Sequence, residues 1–231
     1  MVLLLPLVVA LNALADQTPN LGQEMKVQRD RLAGYQWRLK TEMTVDGALR
    51  VTKLEDVHLG PGGTLVKKIV KFEKKDAPQL ASTDPRKRLG PPATDAESDR
   101  YGEQAHALMM FYAQLSAERV DRWARDAETL PPDPDRPGKL RVHGRGLGRL
   151  QDDAIVYLDA KTKVPVEVEV KTTVDRLLTD IAFIRASFEA IPTPRTGVTM
   201  PFAPKKIFVN MNRGKRRVTL EMETSDYRPW P

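Results

Sequence analysis

Tyr35-Gln-Trp-Arg-Leu-Lys-Thr-Glu-Met-Thr-Val45, followed at once by Asp46-Gly47, is the stretch from which the fold is read. Tyr35, Trp37, Leu39, Met43 and Val45 alternate with Gln36, Arg38, Lys40, Glu42 and Thr44. A period of two places the first set on one buried face of a strand. Asp-Gly is the strongest short hairpin signal, because a type I′ turn needs positive φ at both central residues. The chain returns from Ala48 to Leu59, turns at Gly60-Pro61-Gly62-Gly63 and extends again from Thr64 to Phe72. Three strands joined by tight turns make a meander.

The C-terminal half repeats this grammar. Leu140 to His143 leads into a glycine-rich turn at Gly144, Gly146 and Gly148, and Ala154 to Leu158 reads as a strand. Val164, Val166, Val168 and Val170 then alternate with Pro165, Glu167, Glu169 and Lys171, the pattern of a half-buried strand. Leu178 to Phe188 is apolar on both faces, as expected of a central strand or one lying under a helix. Lys205 to Met211 and Arg217 to Thr224 form a last pair around Asn212-Arg213-Gly214, with Val218, Leu220 and Met222 inward. Two helices complete the pattern. Residues 20–33 carry Leu21, Met25 and Leu32 on one side and stop at Gly34. Thr94-Asp-Ala-Glu97 is a capping box opening one long helix to about Ala127, with Tyr101, Ala105, Leu108, Tyr112, Leu115 and Trp123 along it. The expectation is an α+β class, mainly antiparallel β. It has one curved, half-open, barrel-like sheet with a short N-terminal helix and one long covering helix. Residues 16–231 form a single domain, interrupted at 73–99 by an exposed connection carrying Pro78, Pro85, Pro91, Pro92 and Arg86-Lys87-Arg88.

Residues 1–15 are an uncharged apolar run ending in Ala13-Leu14-Ala15, small residues where a signal peptidase reads, before Asp16 turns the chain polar. A membrane span needs about 20 apolar residues, so the run reads as a cleaved export signal. The chain has no cysteine, hence no disulfide and no residue for a lipid anchor. An exported, disulfide-free, unanchored domain of this size points to a bacterial periplasm. The formal charge of +6 would suggest nucleic acid elsewhere. After export, anionic membrane surfaces are the natural counterpart, and nucleic acid is not expected. A monomer is expected.

The search for chemistry returns little. His58, His106 and His143 lack a second ligand at metal-site spacing. Gly144-Arg-Gly-Leu-Gly148 has neither the lysine nor the strand-to-helix setting of a phosphate loop. The serines stand outside any nucleophile elbow. Asp152-Asp153 is a carboxylate pair at a strand start, where turn formation is the ordinary role. No catalytic residue, metal or cofactor is expected. What remains is shape: a curved sheet must cover its apolar face, and incomplete cover leaves a pocket. Trp37, Leu39, Met43, Val166, Val168, Ile181 and Phe183 are placed on that face as candidate ligand-binding residues, although simple core packing is the commoner fate of such side chains.

The chain resembles the LolA-like proteins of bacterial envelopes, which include lipoprotein carriers, RseB-like sensors and mycobacterial lipid carriers. The resemblance lies in the signal, the short helix and Tyr35-x-Trp37. It continues in Asp153-x-Ile-Val-Tyr-Leu-Asp159-x-x-Thr-x-x-Pro165 and in the closing Glu223-Thr-Ser-Asp-Tyr227. It implies a half-open barrel with a helical lid and an apolar cavity for the acyl chains of a lipid or lipoprotein, with a role in outer-membrane lipoprotein sorting. A non-enzymatic envelope sensor or assembly factor binding another protein is the alternative. An enzyme on the same scaffold would need Asp152, Asp153 or His143 to converge on a pocket.

Overall fold

The computed structural model describes residues 21–60, 64–76, 93–174, 180–191 and 202–230. Residues 1–15, expected to be an export signal, and most of the proline-rich connection lie outside these residues. Ten strands form a single open antiparallel sheet in the order β3-β2-β1-β10-β9-β8-β7-β6-β5-β4. They are β1 (Tyr35–Val45), β2 (Ala48–Leu59), β3 (Leu65–Lys74), β4 (Glu128–Leu130), β5 (Lys139–Arg145), β6 (Asp153–Asp159), β7 (Pro165–Thr173), β8 (Ile181–Ala190), β9 (Phe202–Arg213) and β10 (Arg216–Pro229). The three helices described are α1 (Leu21–Leu32), α2 (Asp95–Ala113) and α3 (Ala117–Asp126). The sheet is thus two meanders, β1–β3 and β4–β10, zipped together where β1 pairs with β10. The first turn is as read: Asp46 and Gly47 sit at φ 53° and 81°.

Curvature has a local cause. Bulges interrupt the register at Gln36/Arg38, Met43/Thr44, Leu54/Glu55, Tyr157/Leu158 and Ser187/Phe188. Each inserts a residue on one strand and bends it. The concave face carries the core: Trp37, Met43 and Val45 of β1, Val170 of β7, Val209 and Met211 of β9, and Val218 and Leu220 of β10 are all buried. Helix α2 lays Tyr101, Ala105, Leu108 and Met109 on it, and α3 adds Val120 and Trp123. Buried Arg50 pins the start of α2 to β2, donating to Ala93 O, Asp95 Oδ1 and Ser98 Oγ at 3.2, 2.9 and 3.1 Å. The capping box at Thr94 and Glu97 forms as read.

The long covering helix is two helices. Helix α2 ends at Ala113, and Ser116 caps α3 by accepting from Arg119 N at 3.3 Å. Serine is a strong N-cap because its oxygen satisfies an otherwise unpaired amide. The apolar periodicity runs through the break, so it could not reveal it. The short β4 was also not expected; it pairs with β5 from Glu128 to Leu130.

Candidate functional site

The break between α2 and α3 opens the roof over the sheet. Beneath it lies a partly open cavity of about 270 Å³. Met109, Tyr112 and Ala113 of α2, Leu115 of the linker, and Ala117 and Val120 of α3 form the roof. Val156, Val168, Val170, Ile184, Ala186 and Ile207 form the floor, across four adjacent strands. Leu32 and Lys26 of α1, with Leu147, Phe188 and Pro204, contribute the sides, and Lys26 is the charged side chain among the described lining residues. Small residues explain the void. Ala113 and Ala117 flank the helix break and Ala186 stands on the floor, so three of the lining positions carry only a methyl group.

Of the residues placed on the apolar face from sequence, Val168 lines the cavity. Trp37, Leu39 and Met43 lie on the same concave face but in closed core; Trp37 stacks on Tyr227 with ring centroids 5.7 Å apart. The other three lie away from the cavity. Val166 is the extra residue of a bulge, since Leu158 pairs with Pro165 and Tyr157 with Glu167. Its valine period therefore slips by one at this point. Ile181 and Phe183 belong to the convex face, where Phe183 lies under Arg185; the concave positions of β8 are Ala182, Ile184, Ala186 and Phe188. A strand apolar on both sides carries no parity signal, and the small alanines had masked the inward set.

A buried carboxylate organises one wall. Asp152 is fully buried, accepting from Gly148 N at 2.8 Å, Arg149 N at 2.7 Å and Thr172 Oγ1 at 2.6 Å. It folds the 146–152 loop so that Leu147 reaches the cavity and Gly148 passes beneath two aromatic rings. A Cβ at Gly148 would stand 2.7 Å from Phe111 Cε1 and 2.8 Å from Tyr112 Cε1. Arg119 of α3 donates to Leu147 O at 3.0 Å and to Gly148 O, tying roof to loop. Tyr112 turns its phenol into the same region, and burial pushes its pKa up.

The histidines do not converge. His58 stacks on Trp230 at 4.1 Å between centroids. His106 Nε2 is 3.1 Å from Lys67 Nζ, and burial with Lys67 and Lys53 lowers its pKa, a setting that repels a cation. His143 lies between Glu128 Oε1 at 3.0 Å and Asp153 Oδ1 at 2.6 Å, and these two partners raise its pKa. None of the three lines the cavity. Among the described residues no group of three or more His, Asp or Glu is arranged to hold a metal. On the convex face Arg136 joins Glu167 and Glu169 at 3.2 and 2.9 Å and lies 4.3 Å over the Tyr157 ring, a network that shields that tyrosine.

No family model and no curated protein matches the sequence. Solved structures do. The LolA superfamily protein of Nitrosomonas europaea is 11% identical over 91% of this chain and 95% of its own, with a TM-score of 0.39. A DUF1329 family protein of Desulfovibrio piger is 12% identical over 90% and 91%, at 0.40. An outer membrane lipoprotein-sorting protein domain, so described, from Vibrio parahaemolyticus is 13% identical over 93% of both chains, at 0.39.

Proposed function

We propose that the chain is a non-enzymatic binding protein of the bacterial envelope that reversibly buries one acyl chain of a lipid or lipoprotein in the cavity between the α2–α3 roof and the sheet. The observation that carries the reading is the cavity itself: an apolar void under a helix break, walled by aliphatic side chains from four strands and three helices. Its size selects the occupant. Ligand pockets run from about 300 to 1,000 Å³, so a partly open 270 Å³ suits part of one acyl chain. At roughly 30 Å³ per water-sized group, it takes on the order of nine methylenes. At about 0.8 kcal/mol each, burial supplies roughly 7 kcal/mol gross, an affinity of about 10 μM at best. Binding of that strength is readily reversed, as handing cargo to an acceptor requires.

The test is displacement of a dansyl-labelled eleven-carbon fatty acid by palmitate, with wild type and Ala186→Phe. Saturable micromolar binding, abolished when the phenyl ring fills the floor while the thermal melt stays cooperative, is the expected result. Absence of binding at millimolar probe, or undiminished binding by the filled variant, would overturn the reading. A wild type that ignores acyl probes yet retains an envelope protein would favour the sensor or assembly role.

A further inference from the structure

Large apolar side chains left exposed are not scattered over this molecule. Of the eight among the described residues, four lie on β3: Val66, Ile69, Val70 and Phe72, at 42, 57, 49 and 55% exposure. The strand and the residues just after it are also basic. Lys67, Lys68, Lys71, Lys74 and Lys75 stand against Glu73 and Asp76. Lys71 pairs with Glu73 at 2.6 Å and Lys74 with Asp99 at 2.8 Å. β3 is an outer edge of the sheet, and none of its residues lines the cavity.

We propose that β3 is a membrane-contact edge that seats Ile69, Val70 and Phe72 in the interfacial zone of an anionic bilayer while its lysines meet lipid phosphates. Three observations choose this occupant. Register puts Ile69 and Phe72 on the face shared with Glu55 and Lys53, Val66 on the other face opposite His58, and Val70 in a bulge. Apolar groups thus leave the strand on both sides. A fluid phase can wrap both sides; an added strand covers only the backbone edge. The bulge at Val70 breaks the ladder that strand addition would extend, and edge lysines are a known defence against such pairing. A second copy is disfavoured because pairing two such strands lays lysine against lysine. At interfacial depth, about 5–10 Å into the headgroup boundary, the edge N–H and C=O groups remain hydrated and incur no penalty.

The chain has no cysteine, so a single Phe72→Cys change gives a unique labelling site for an environment-sensitive nitrobenzoxadiazole dye. The label should shift to the blue on vesicles of equimolar phosphatidylglycerol and phosphatidylcholine, and not on phosphatidylcholine alone. A label at exposed Lys161→Cys, on the β6–β7 turn, should not respond. In vesicle sedimentation, Lys68→Gln, Lys71→Gln and Lys75→Gln together should weaken binding about fivefold per lysine, equivalent to about 1 kcal/mol each. The same triple change should flatten the salt dependence. Ile69→Ser with Phe72→Ser should abolish binding; if that pair fails to fold, the lysine triple, confined to surface charge, still decides. No vesicle binding by wild type, or both variants binding like wild type, would overturn the proposal. So would a wild-type dimer lost in the serine variant, or uptake of poly-glutamate without vesicle binding, either of which gives the edge to another chain.

Discussion

Replacing Asp152 by alanine should be among the costliest single changes outside the apolar core. The carboxylate is fully buried and accepts three hydrogen bonds at 2.6–2.8 Å, two from the amides of Gly148 and Arg149 and one from Thr172 Oγ1. A hydrogen bond to a charged group contributes about 1.5–3 kcal/mol, and each buried donor left without an acceptor costs about 1–3 kcal/mol. Two terms reduce the total. The variant no longer buries a charge, and a water can enter the vacated space to serve some of the donors. A loss of about 3–5 kcal/mol is expected, against a typical total of about 5–15 kcal/mol. Asp152→Asn should cost less, about 1–2 kcal/mol. Its amide oxygen still accepts from the two backbone amides, and the Thr172 hydroxyl can reverse to accept from the amide nitrogen. Urea unfolding followed by circular dichroism measures both variants. Because the loop carries Leu147 to the cavity wall, the alanine variant should also bind the dansyl fatty acid more weakly. An alanine variant within about 1 kcal/mol of wild type would refute the view that this carboxylate organises the loop.

Gly148→Ala places a methyl 2.7 Å from the Phe111 ring, and since both rings are held by α2 the expected cost is about 1–3 kcal/mol, read from the same urea curves. Val168→Glu should leave a cooperatively folded protein that no longer binds the acyl probe, because Val168 borders a partly open cavity into which the carboxylate can draw water; a molten or insoluble variant would show that the floor is sealed core. His143 is held above its ordinary pKa by Glu128 and Asp153, so its imidazolium stabilises the fold fully below about pH 6.5, and that contribution is lost as pH rises through the raised value. Both partners are exposed, so the effect is at most about 1 kcal/mol; the stability difference between wild type and His143→Gln should shrink from pH 5 to pH 9, and a difference independent of pH would contradict the pairing.

The parts of the fold that were legible from sequence are those where one physical rule acted alone. β1 alternates cleanly because one face meets core and the other water, and Asp46-Gly47 turns it because the backbone there needs positive φ. The capping box at Thr94 was equally readable, since its partners lie three residues apart. Legibility ended where two rules competed. The period of the covering helix continues across Ser116, so apolar spacing hid the cap that divides α2 from α3 and opens the cavity. On β7 the valine alternation stays regular while the bulge at Val166 shifts its register, a fact fixed by β6 and not by β7 itself. On β8 the inward set mixes the small Ala182 and Ala186 with Ile184 and Phe188, while Ile181 and Phe183 make the convex side apolar too, so parity carried no signal. The cavity is made by what is missing in volume, and hydrophobic pattern records only what is present.

The pairing of β1 with β10 bears on how the chain reaches this state. Asp46, in the first hairpin turn, is bonded to Arg216 and Arg217, some 170 residues later. The first meander can form as soon as its own strands exist, but β1 then presents a bare edge until the final strand has been made. Contacts of such sequence separation slow folding, since a long loop must close before any reward is gained. The half-assembled chain carries an open ladder flanked by apolar side chains, the species most prone to aggregate. Refolding should therefore be slow and concentration-sensitive, and deleting residues 216–230 should leave β1–β3 collapsed but unable to complete the sheet.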